Sequence, residues 1–253
     1  MSYKTAIEGF TKCLDQIDLP KKKILTLHVR LRPVKEFTEL SYLENTSLVL
    51  ESLYKFEPQA MLIPAFTYSF TKSGLYHKLY SRAETGRFSE EVRMGFSNYR
   101  TTDPIFSMMD VTSWLGQQDN LNNLGAFESG CIWEKLFHEG SIVVNIGIES
   151  FVATQIHYLE RLMQVPYRKT FIKSGVIYKN NTDHQTVDYT FYARDLKNLR
   201  QLNWPLIEEK LFSDGVLNKI VFNGIKFSCI SVSSLHKVLK KEIIRDPYYL
   251  VRT

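Results

Sequence analysis

Two apolar segments with a helical segment between them limit what the first quarter of this chain can form. Residues 22–31 (KKILTLHVRL) and 60–67 (AMLIPAFT) are predicted strands. Residues 45–56 between them have a helical pattern, with Asn45 or Thr46 as the N-cap. Strand, helix and strand at this spacing form a βαβ unit, whose two strands are parallel. The chain is therefore expected to fold around an α/β sheet.

The rest of the chain extends this pattern. Residues 141–147 (SIVVNIG) are the clearest buried strand, and a helix is predicted after them at 150–164. The other predicted helices are 4–17, 131–138, 205–213 and 232–242. Residues 170–179 and 185–193 alternate like two antiparallel strands joined around Asn180-Asn181, and 216–222 and 225–231 are also predicted strands. The predicted fold is α/β, with a mixed central sheet, flanking helices and an antiparallel C-terminal extension.

The length and the apolar content indicate one domain over residues 1–253. Hydrophobic residues make up 44% of the chain, which is enough for a substantial core. Residues 68–110 are polar and aromatic, and are predicted to form a loop-rich insertion with short helices. Loops of that length inside a domain are usually functional. The tyrosines from Tyr68 to Tyr80 can stack on a base or sugar, or they can pack as a lid.

Charge and apolar patterning restrict the partners. The net charge of +5, from 32 basic and 27 acidic residues, favours anionic small molecules. That excess is too small and too evenly spread for a nucleic-acid-binding surface. No apolar run approaches the ~20 residues that span a bilayer, so no membrane partner is expected. The amino-terminal residues lack the apolar core of a signal peptide.

The cysteine count indicates a reducing compartment. Cys13, Cys131 and Cys229 are few and far apart, which argues against a disulfide framework and against a zinc cluster. His138 and His184 have no partner at metal-ligand spacing. We therefore expect a cytoplasmic protein without a metal.

One short segment has the spacing of a catalytic group. Thr154, His157 and Glu160 are three residues apart, so on a helix they share one face. A carboxylate beside an imidazole fixes its tautomer and raises its basicity, as a general base requires. The helix follows a buried strand, where α/β sheets carry their sites. The same spacing also fits a surface histidine paired with a glutamate.

Several segments occur in an order that is typical of one family. They are residues 27–31 (LHVRL), 62–67 (LIPAFT), 86–93 (GRFSEEVR), 100–107 (RTTDPIFS), 127–136 (FESGCIWEKL) and 146–168, which contains Thr154-x-x-His157-x-x-Glu160 and VPYR. This series resembles the aminoglycoside 3-N-acetyltransferases, with their His-Ser-Ser-Leu, Met-Pro-Thr-Phe, Arg-Ser-x-His-Pro-x-x-Ser and Gly-x-x-Ser segments. The resemblance covers roughly residues 22–180.

The resemblance implies direct transfer of an acyl group from acetyl-CoA or another acyl-CoA to an amine. His157 is then the catalytic base, Glu160 orients it, and Thr154 completes the catalytic set. The residues implied for the acceptor site are Thr67, Arg100, Asp103 and Ser107. The residues implied for the CoA site are His28, Arg30, Leu31 and Ser129.

Two positions depart from the family pattern. Asp103-Pro104 replaces the family's His-Pro, which changes the acceptor site. Val29 and Arg30 replace its paired serines, which changes the expected contact with the pantetheine arm. Arg30 can instead meet a phosphate, for which guanidinium is suited, or it can be a solvated residue at the end of a strand. His28 also fits a structural histidine within an apolar strand.

The charge of residues 68–110 favours an anionic acceptor over a polycationic aminoglycoside. The lysines and arginines of this segment outnumber its acidic residues, whereas binders of polycations need acidic clefts. The predicted acceptor is therefore an amino sugar, including one linked to a nucleotide. Alternatives are an aminoglycoside acetyltransferase that confers antibiotic resistance, a non-catalytic ligand-binding member, and a thiol hydrolase using Cys131, which also fits a core cysteine. A homodimer is compatible with the sequence.

Overall fold

The structure, a computed structural model, describes residues 2–118, 121–195 and 200–252. Its strands are, in chain order, β1 (Ile24–Val29), β2 (Ala60–Pro64), β3 (Leu75–His77), β4 (Tyr99–Arg100), β5 (Met108–Asp110), β6 (Ile142–Ile146), β7 (Arg168–Tyr178), β8 (His184–Arg194), β9 (Asn218–Phe222) and β10 (Ile225–Ser231). Its helices are α1 (Tyr3–Gln16), α2 (Leu31–Thr38), α3 (Tyr42–Tyr54), α4 (Phe70–Ser73), α5 (Arg87–Gly95), α6 (Ile132–His138), α7 (Gln155–Leu162), α8 (Trp204–Ser213) and α9 (Val232–Arg245). The predicted domain limits, residues 1 and 253, lie outside the described residues.

A seven-stranded sheet in the order β4-β5-β2-β1-β6-β10-β9 forms the centre of the described chain. β1 is parallel to β2 and to β6, as the βαβ pattern predicts. β5 is antiparallel to β2, and β10 is antiparallel to both β6 and β9. The predicted mixed sheet with an antiparallel C-terminal extension is confirmed. A second sheet, β3-β7-β8, contains the predicted hairpin of β7 and β8.

The central sheet is covered on both faces because its buried strands send alternate side chains to opposite sides. On β6, Val143 packs into a core that includes Leu159 of α7 and Leu239 of α9. Val144, the next residue, packs into a second core that includes Phe10 of α1. Within the described ranges, none of the helices is long and apolar enough to cross a membrane.

The first strand is shorter than predicted. β1 ends at Val29, and α2 begins at Leu31 with Arg30 as its N-cap. Pro33 lies in the first turn of α2, where its fixed φ favours helix and its missing N–H costs nothing. The proline was therefore the signal for this helix, which the apolar pattern of residues 22–31 concealed.

The predicted N-cap of the helix between β1 and β2 was wrong. α3 begins at Tyr42, and Ser41 and Glu44 form a capping box in which each side chain accepts from the other's backbone N–H. Asn45 and Thr46 lie inside the helix and are buried. The box places the start of α3 three residues before the predicted start.

The segment 68–110 has more regular structure than the predicted loop region. It contains α4 and α5, and its strands β4 and β5 extend the central sheet beyond β2. These strands are only two and three residues long, so their sequence shows too few alternations to reveal them. Their pairing fixes the segment to the edge of the sheet next to the carboxyl end of β2.

Candidate active site

The loop from β6 to α7 is fixed by hydrogen bonds to the side chain of Asn145 on β6. Asn145 donates from Nδ2 to the carbonyl oxygen of Val152 (2.9 Å), and its Oδ1 accepts from the backbone N–H of Val152 (2.8 Å). Gly147 has φ +71°, and a Cβ there would collide with the carbonyl oxygen of Arg30, so glycine is required. The start of α7 is thereby held at the carboxyl ends of the parallel strands.

His157 lies in the first turn of α7 and is held by Glu160. Nδ1 of His157 and Oε2 of Glu160 are 2.7 Å apart, as the three-residue spacing predicts. The Glu160 side chain is fully buried. Thr154 is the N-cap of α7 and lies beside His157 in the wall of a cleft. The structure therefore brings the three residues of the sequence motif together.

Arg168 joins this pair, which its sequence position did not indicate. Its Nε is 2.7 Å from Oε2 of Glu160, and its Nη2 is 2.8 Å from Nδ1 of His157. Burial raises the pKa of Glu160, but the Arg168 charge and the His157 hydrogen bond outweigh burial and lower it. Burial and the Arg168 charge lower the pKa of His157 against the opposing effect of Glu160. Glu160 is therefore ionised and His157 neutral at pH 7.

Nδ1 of His157 has two neighbours that demand opposite roles. The Glu160 carboxylate only accepts hydrogen bonds, and the Arg168 guanidinium only donates them. When Nδ1–H donates to Glu160, the other ring nitrogen, Nε2, carries the lone pair that a general base needs. When Nδ1 accepts from Arg168, the proton lies on Nε2 and the base is lost. The Glu160 carboxylate thus favours the competent tautomer.

Two clefts meet at His157. The large cleft, of about 610 Å³, lies at the carboxyl ends of β1, β2 and β6. The residues that line it include His28, Arg30, Pro64, Gly86, Thr154 and His157. The small cleft, of about 290 Å³, lies beside the start of β7 and the end of β8. The residues that line it include Phe106, His157, Arg168, Tyr192 and Arg194. Tyr68, His157 and Trp204 line both clefts.

Three of the four residues predicted for the CoA site line the large cleft. They are His28, Arg30 and Leu31, at the junction of β1 and α2. Burial and the His157 charge lower the pKa of His28 to about 4, and its Nε2 is buried without a hydrogen-bond partner in the described chain. Ser129 is exposed, outside both clefts, and its hydroxyl donates to Glu134 (3.4 Å).

The four residues predicted for the acceptor site are buried, and their polar groups form hydrogen bonds within the protein. Arg100 donates to the hydroxyl oxygens of Ser107 (3.0 Å) and Thr67 (2.9 Å). Asp103 accepts from the hydroxyl of Tyr189 (2.7 Å) and from two backbone N–H groups, and burial raises its pKa to about 6. Among the described residues that line the two clefts, none of these four occurs.

Cys131 lacks the environment of a nucleophile. Its side chain is in the core, with only 2% of the residue exposed, and burial raises the pKa of its thiol to about 11. A reactive cysteine is instead a partly exposed thiolate. Across residues 2–118, 121–195 and 200–252, no group of three or more histidine, cysteine, aspartate or glutamate side chains is placed to hold a metal ion.

Comparison with known protein families gives one match over most of the chain. The model of the aminoglycoside 3-N-acetyltransferase family matches residues 51–242. This range includes α7 with His157 and Glu160, and also Arg168. No curated protein sequence matches this chain at a significant level.

Solved structures of the same fold cover nearly the whole chain. The apoenzyme of aminoglycoside acetyltransferase AAC(3)-IVa superposes with a TM-score of 0.73 at 14% identity, covering 98% of this chain and 91% of that one. AAC-IIIb in a binary complex with CoASH gives 0.74 at 14% identity, with 94% and 96% coverage. The YokD protein from Bacillus subtilis gives 0.72 at 14% identity, with 95% and 99% coverage. At these identities the likeness establishes the fold.

Proposed function

The chain belongs to the aminoglycoside 3-N-acetyltransferase family, and we propose that its His157 is the general base in acyl transfer to the amine of an amino sugar. Membership makes the protein an N-acyltransferase with an acyl-CoA as cosubstrate. The proposal adds the base, the place of each substrate and the class of acceptor.

The position of His157 where the two clefts meet carries the proposal. An acyl donor in the large cleft and an amine in the small cleft would meet at this side chain. Glu160 engages Nδ1 at 2.7 Å, so Nε2 on the opposite edge of the ring is left to accept a proton. A base held in one tautomer at the meeting point of two clefts is what a direct transfer requires.

In the proposed reaction, the amine nitrogen attacks the carbonyl carbon of the thioester while His157 accepts the amine proton. The carbon–sulfur bond then breaks, and the imidazolium of His157 returns the proton to the sulfur, which leaves as the thiol of CoA. Glu160 stabilises the imidazolium that forms on His157, as a buried carboxylate does in other histidine bases. A thioester is already activated, so the reaction needs no covalent enzyme intermediate.

The large cleft fits an acyl-CoA. Arg30, Arg32 and Arg87 line it, and guanidinium groups suit the phosphates of CoA. Arg32 pairs with Glu36 and Arg87 with Glu91, while Arg30 is exposed and makes no ion pair within the described residues. Arg30 is therefore the cation best placed to meet a phosphate.

The predicted acceptor residues act on the small cleft through its wall. Asp103 accepts from the backbone N–H of Phe106 (2.6 Å), and the Phe106 ring lines the small cleft. Ser107 follows Phe106 and is tied to Arg100 and to the carbonyl of Ala65. We propose that Thr67, Arg100, Asp103 and Ser107 position this wall.

An amino sugar is favoured as the acceptor because the small cleft combines aromatic rings with cations. Tyr68 and Trp204, which line the small cleft and are not buried, offer flat faces for a sugar ring or a nucleobase. An aminoglycoside is the alternative, and it is favoured by the family and by the solved structure of AAC-VIa bound to sisomicin. The intact pair of His157 and Glu160 argues against a member that only binds ligands.

A thiol-release assay tests the proposed function. Acetyl-CoA is the donor, and the acceptors are free hexosamines, nucleotide-linked amino sugars and sisomicin. Acylation of the amino sugars with thiol release at a rate above the background hydrolysis of acetyl-CoA is the expected result. Turnover of sisomicin alone would favour the alternative, and no turnover of any amine would overturn the proposal.

A further inference from the structure

The small cleft holds a pair of like charges that only one carboxylate balances. Arg168 and Arg194 are directly opposite each other on the antiparallel strands β7 and β8. Side chains at such positions project from the same face of a sheet, and like charges there destabilise it. Both arginines line the small cleft. An anion bound beside the second arginine would therefore reduce this repulsion.

Arg168 has such a partner, and Arg194 does not. Glu160 lies 2.7 Å from the Arg168 guanidinium. The side chain of Arg194 makes no hydrogen bond or ion pair with the described residues, and no aspartate or glutamate in the described chain lines this cleft. The nearest acidic residue in sequence, Asp195, is paired with Lys169. The Arg194 charge is thus available to a ligand.

The charge of Arg194 acts on two other side chains of the small cleft. It lowers the pKa of His157 and opposes the rise in the pKa of Tyr68. Both of these side chains line the cleft with Arg194. An acceptor lying between Tyr68 and His157 would therefore be within reach of the guanidinium.

We propose that Arg194 binds an anionic group, a phosphate or a carboxylate, on the acceptor whose amine faces His157. This inference rests on the proposed function and narrows its acceptor to an amino sugar that carries negative charge. The guanidinium fork matches both groups, and bidentate bonds to them are among the stronger hydrogen bonds in proteins. The small cleft, at about 290 Å³, suits one sugar and its anionic group.

Matched acceptors and matched variants test the inference. The acceptors are glucosamine, glucosamine 6-phosphate, a nucleotide-linked amino sugar and an amino uronic acid, each assayed by thiol release from acetyl-CoA. The variants are Arg194→Gln, Arg194→Lys and Lys169→Gln. Lys169 is next to Arg168 on β7 but projects from the opposite face, so its variant removes the same charge outside the cleft.

The wild type is expected to prefer an anionic acceptor over glucosamine by about 10- to 100-fold in kcat/KM, the range for a hydrogen bond to a charged group. Arg194→Gln is expected to lose most of that preference because its KM for the anionic acceptors rises. Arg194→Lys is expected to retain part of the preference, and Lys169→Gln is expected to retain all of it. Comparing kcat/KM for the two acceptors that carry phosphate with kcat/KM for the amino uronic acid shows whether the site recognises phosphate or carboxylate.

Two results would overturn the inference. One is a preference that survives in Arg194→Gln, and the other is an equal loss with glucosamine, which marks a structural role. Failure of the proposed function gives a different result, because the wild type would then acylate none of the amines. Thermal unfolding of each variant, followed by circular dichroism, confirms that all of them are folded in the assay.

Discussion

The carboxylate of Glu160 reaches the imidazole of His157 from one turn further along α7, with Oε2 and Nδ1 2.7 Å apart. The same carboxylate oxygen is 2.7 Å from Arg168, whose guanidinium also contacts Nδ1. The ring nitrogen therefore lies between an acceptor and a donor, and the negative charge of Glu160 decides which of the two it serves. In the proposed mechanism, the availability of His157 as a base depends on that charge.

Glu160→Gln tests this dependence with little change in shape. The amide carries no charge, so Arg168 is free to donate to Nδ1 and to place the ring proton on Nε2. We expect kcat/KM to fall by about 10²- to 10⁴-fold. Because Glu160 raises the pKa of His157, the acid limb of the remaining activity shifts to lower pH. The measurement is a pH–rate profile by thiol release.

Glu128→Gln is the control for this variant. Glu128 forms an ion pair (2.9 Å) with Arg161, which lies on α7 as His157 and Glu160 do. Its kcat/KM is expected to stay near that of the wild type. The loss expected on impairing a general base is much larger than threefold. A Glu160→Gln variant whose kcat/KM is within about threefold of the wild-type value would therefore contradict the role given to Glu160.

Arg30→Gln tests the phosphate contact in the large cleft. Arg30 is exposed, so its ion pair with a phosphate is expected to change KM for acetyl-CoA by only about fivefold. KM for an acetyl-pantetheine thioester, which lacks the nucleotide phosphates, is expected to stay the same. An equal effect on both donors would show that Arg30 acts on the fold, and no effect on either would make it a solvated residue at the end of a strand.

Cys131→Ala separates acyl transfer by His157 from a cysteine mechanism. The thiol is buried with its pKa raised to about 11, so it is not a nucleophile near neutral pH. The variant is expected to keep its acyltransferase activity and to lose about 1 kcal/mol of stability from the smaller core side chain. Steady-state assays and urea unfolding measure the two effects. Loss of acyl transfer in a folded variant would restore the cysteine hypothesis.

His236→Phe tests how burial of a histidine affects stability at acid pH. His236 is buried, its ring stacks on Phe137 with centroids 4.6 Å apart, and burial lowers its pKa to about 4. The unfolded chain therefore takes up this proton first as the pH falls below about 6.5. The histidine's contribution to stability is complete above that pH and falls by about 3 kcal/mol as the pH approaches 4.

The measurement is the free energy of unfolding in urea at pH 7 and at pH 4.5 for the wild type and for His236→Phe. Because phenylalanine does not titrate, the variant is expected to lose less stability than the wild type over this interval. Equal losses in the two proteins would show that His236 does not contribute to unfolding at acid pH.

Sequence patterns predicted the elements that are long enough to show a period. The parallel arrangement of β1 and β2 follows from the apolar strands with a helix between them, and the hairpin of β7 and β8 follows from their alternation. Short strands such as β4 and β5 have no measurable period. α2 was hidden because its apolar residue Leu31 continues the pattern of β1, although Pro33 marks a first helical turn.

In the candidate site, too, contacts between residues close in sequence were predictable, and contacts between distant residues were not. His157 and Glu160 were predictable because helical spacing alone brings them together. Arg168 was not, because its contact depends on how the chain turns between α7 and β7. Arg100 and Ser107 match a family segment, but only the fold shows that their polar groups are used inside the protein. The role proposed for Arg194 depends on strand register, which the sequence does not reveal.

The most direct test is the rate of thiol release from acetyl-CoA with an amino sugar acceptor, measured for the wild type and His157→Ala. His138→Ala is the matched control, because His138 is exposed. We predict that kcat/KM falls by about 10²-fold or more in His157→Ala and stays near the wild-type value in His138→Ala. A folded His157→Ala protein that transfers the acyl group at the wild-type rate would contradict His157 as the general base.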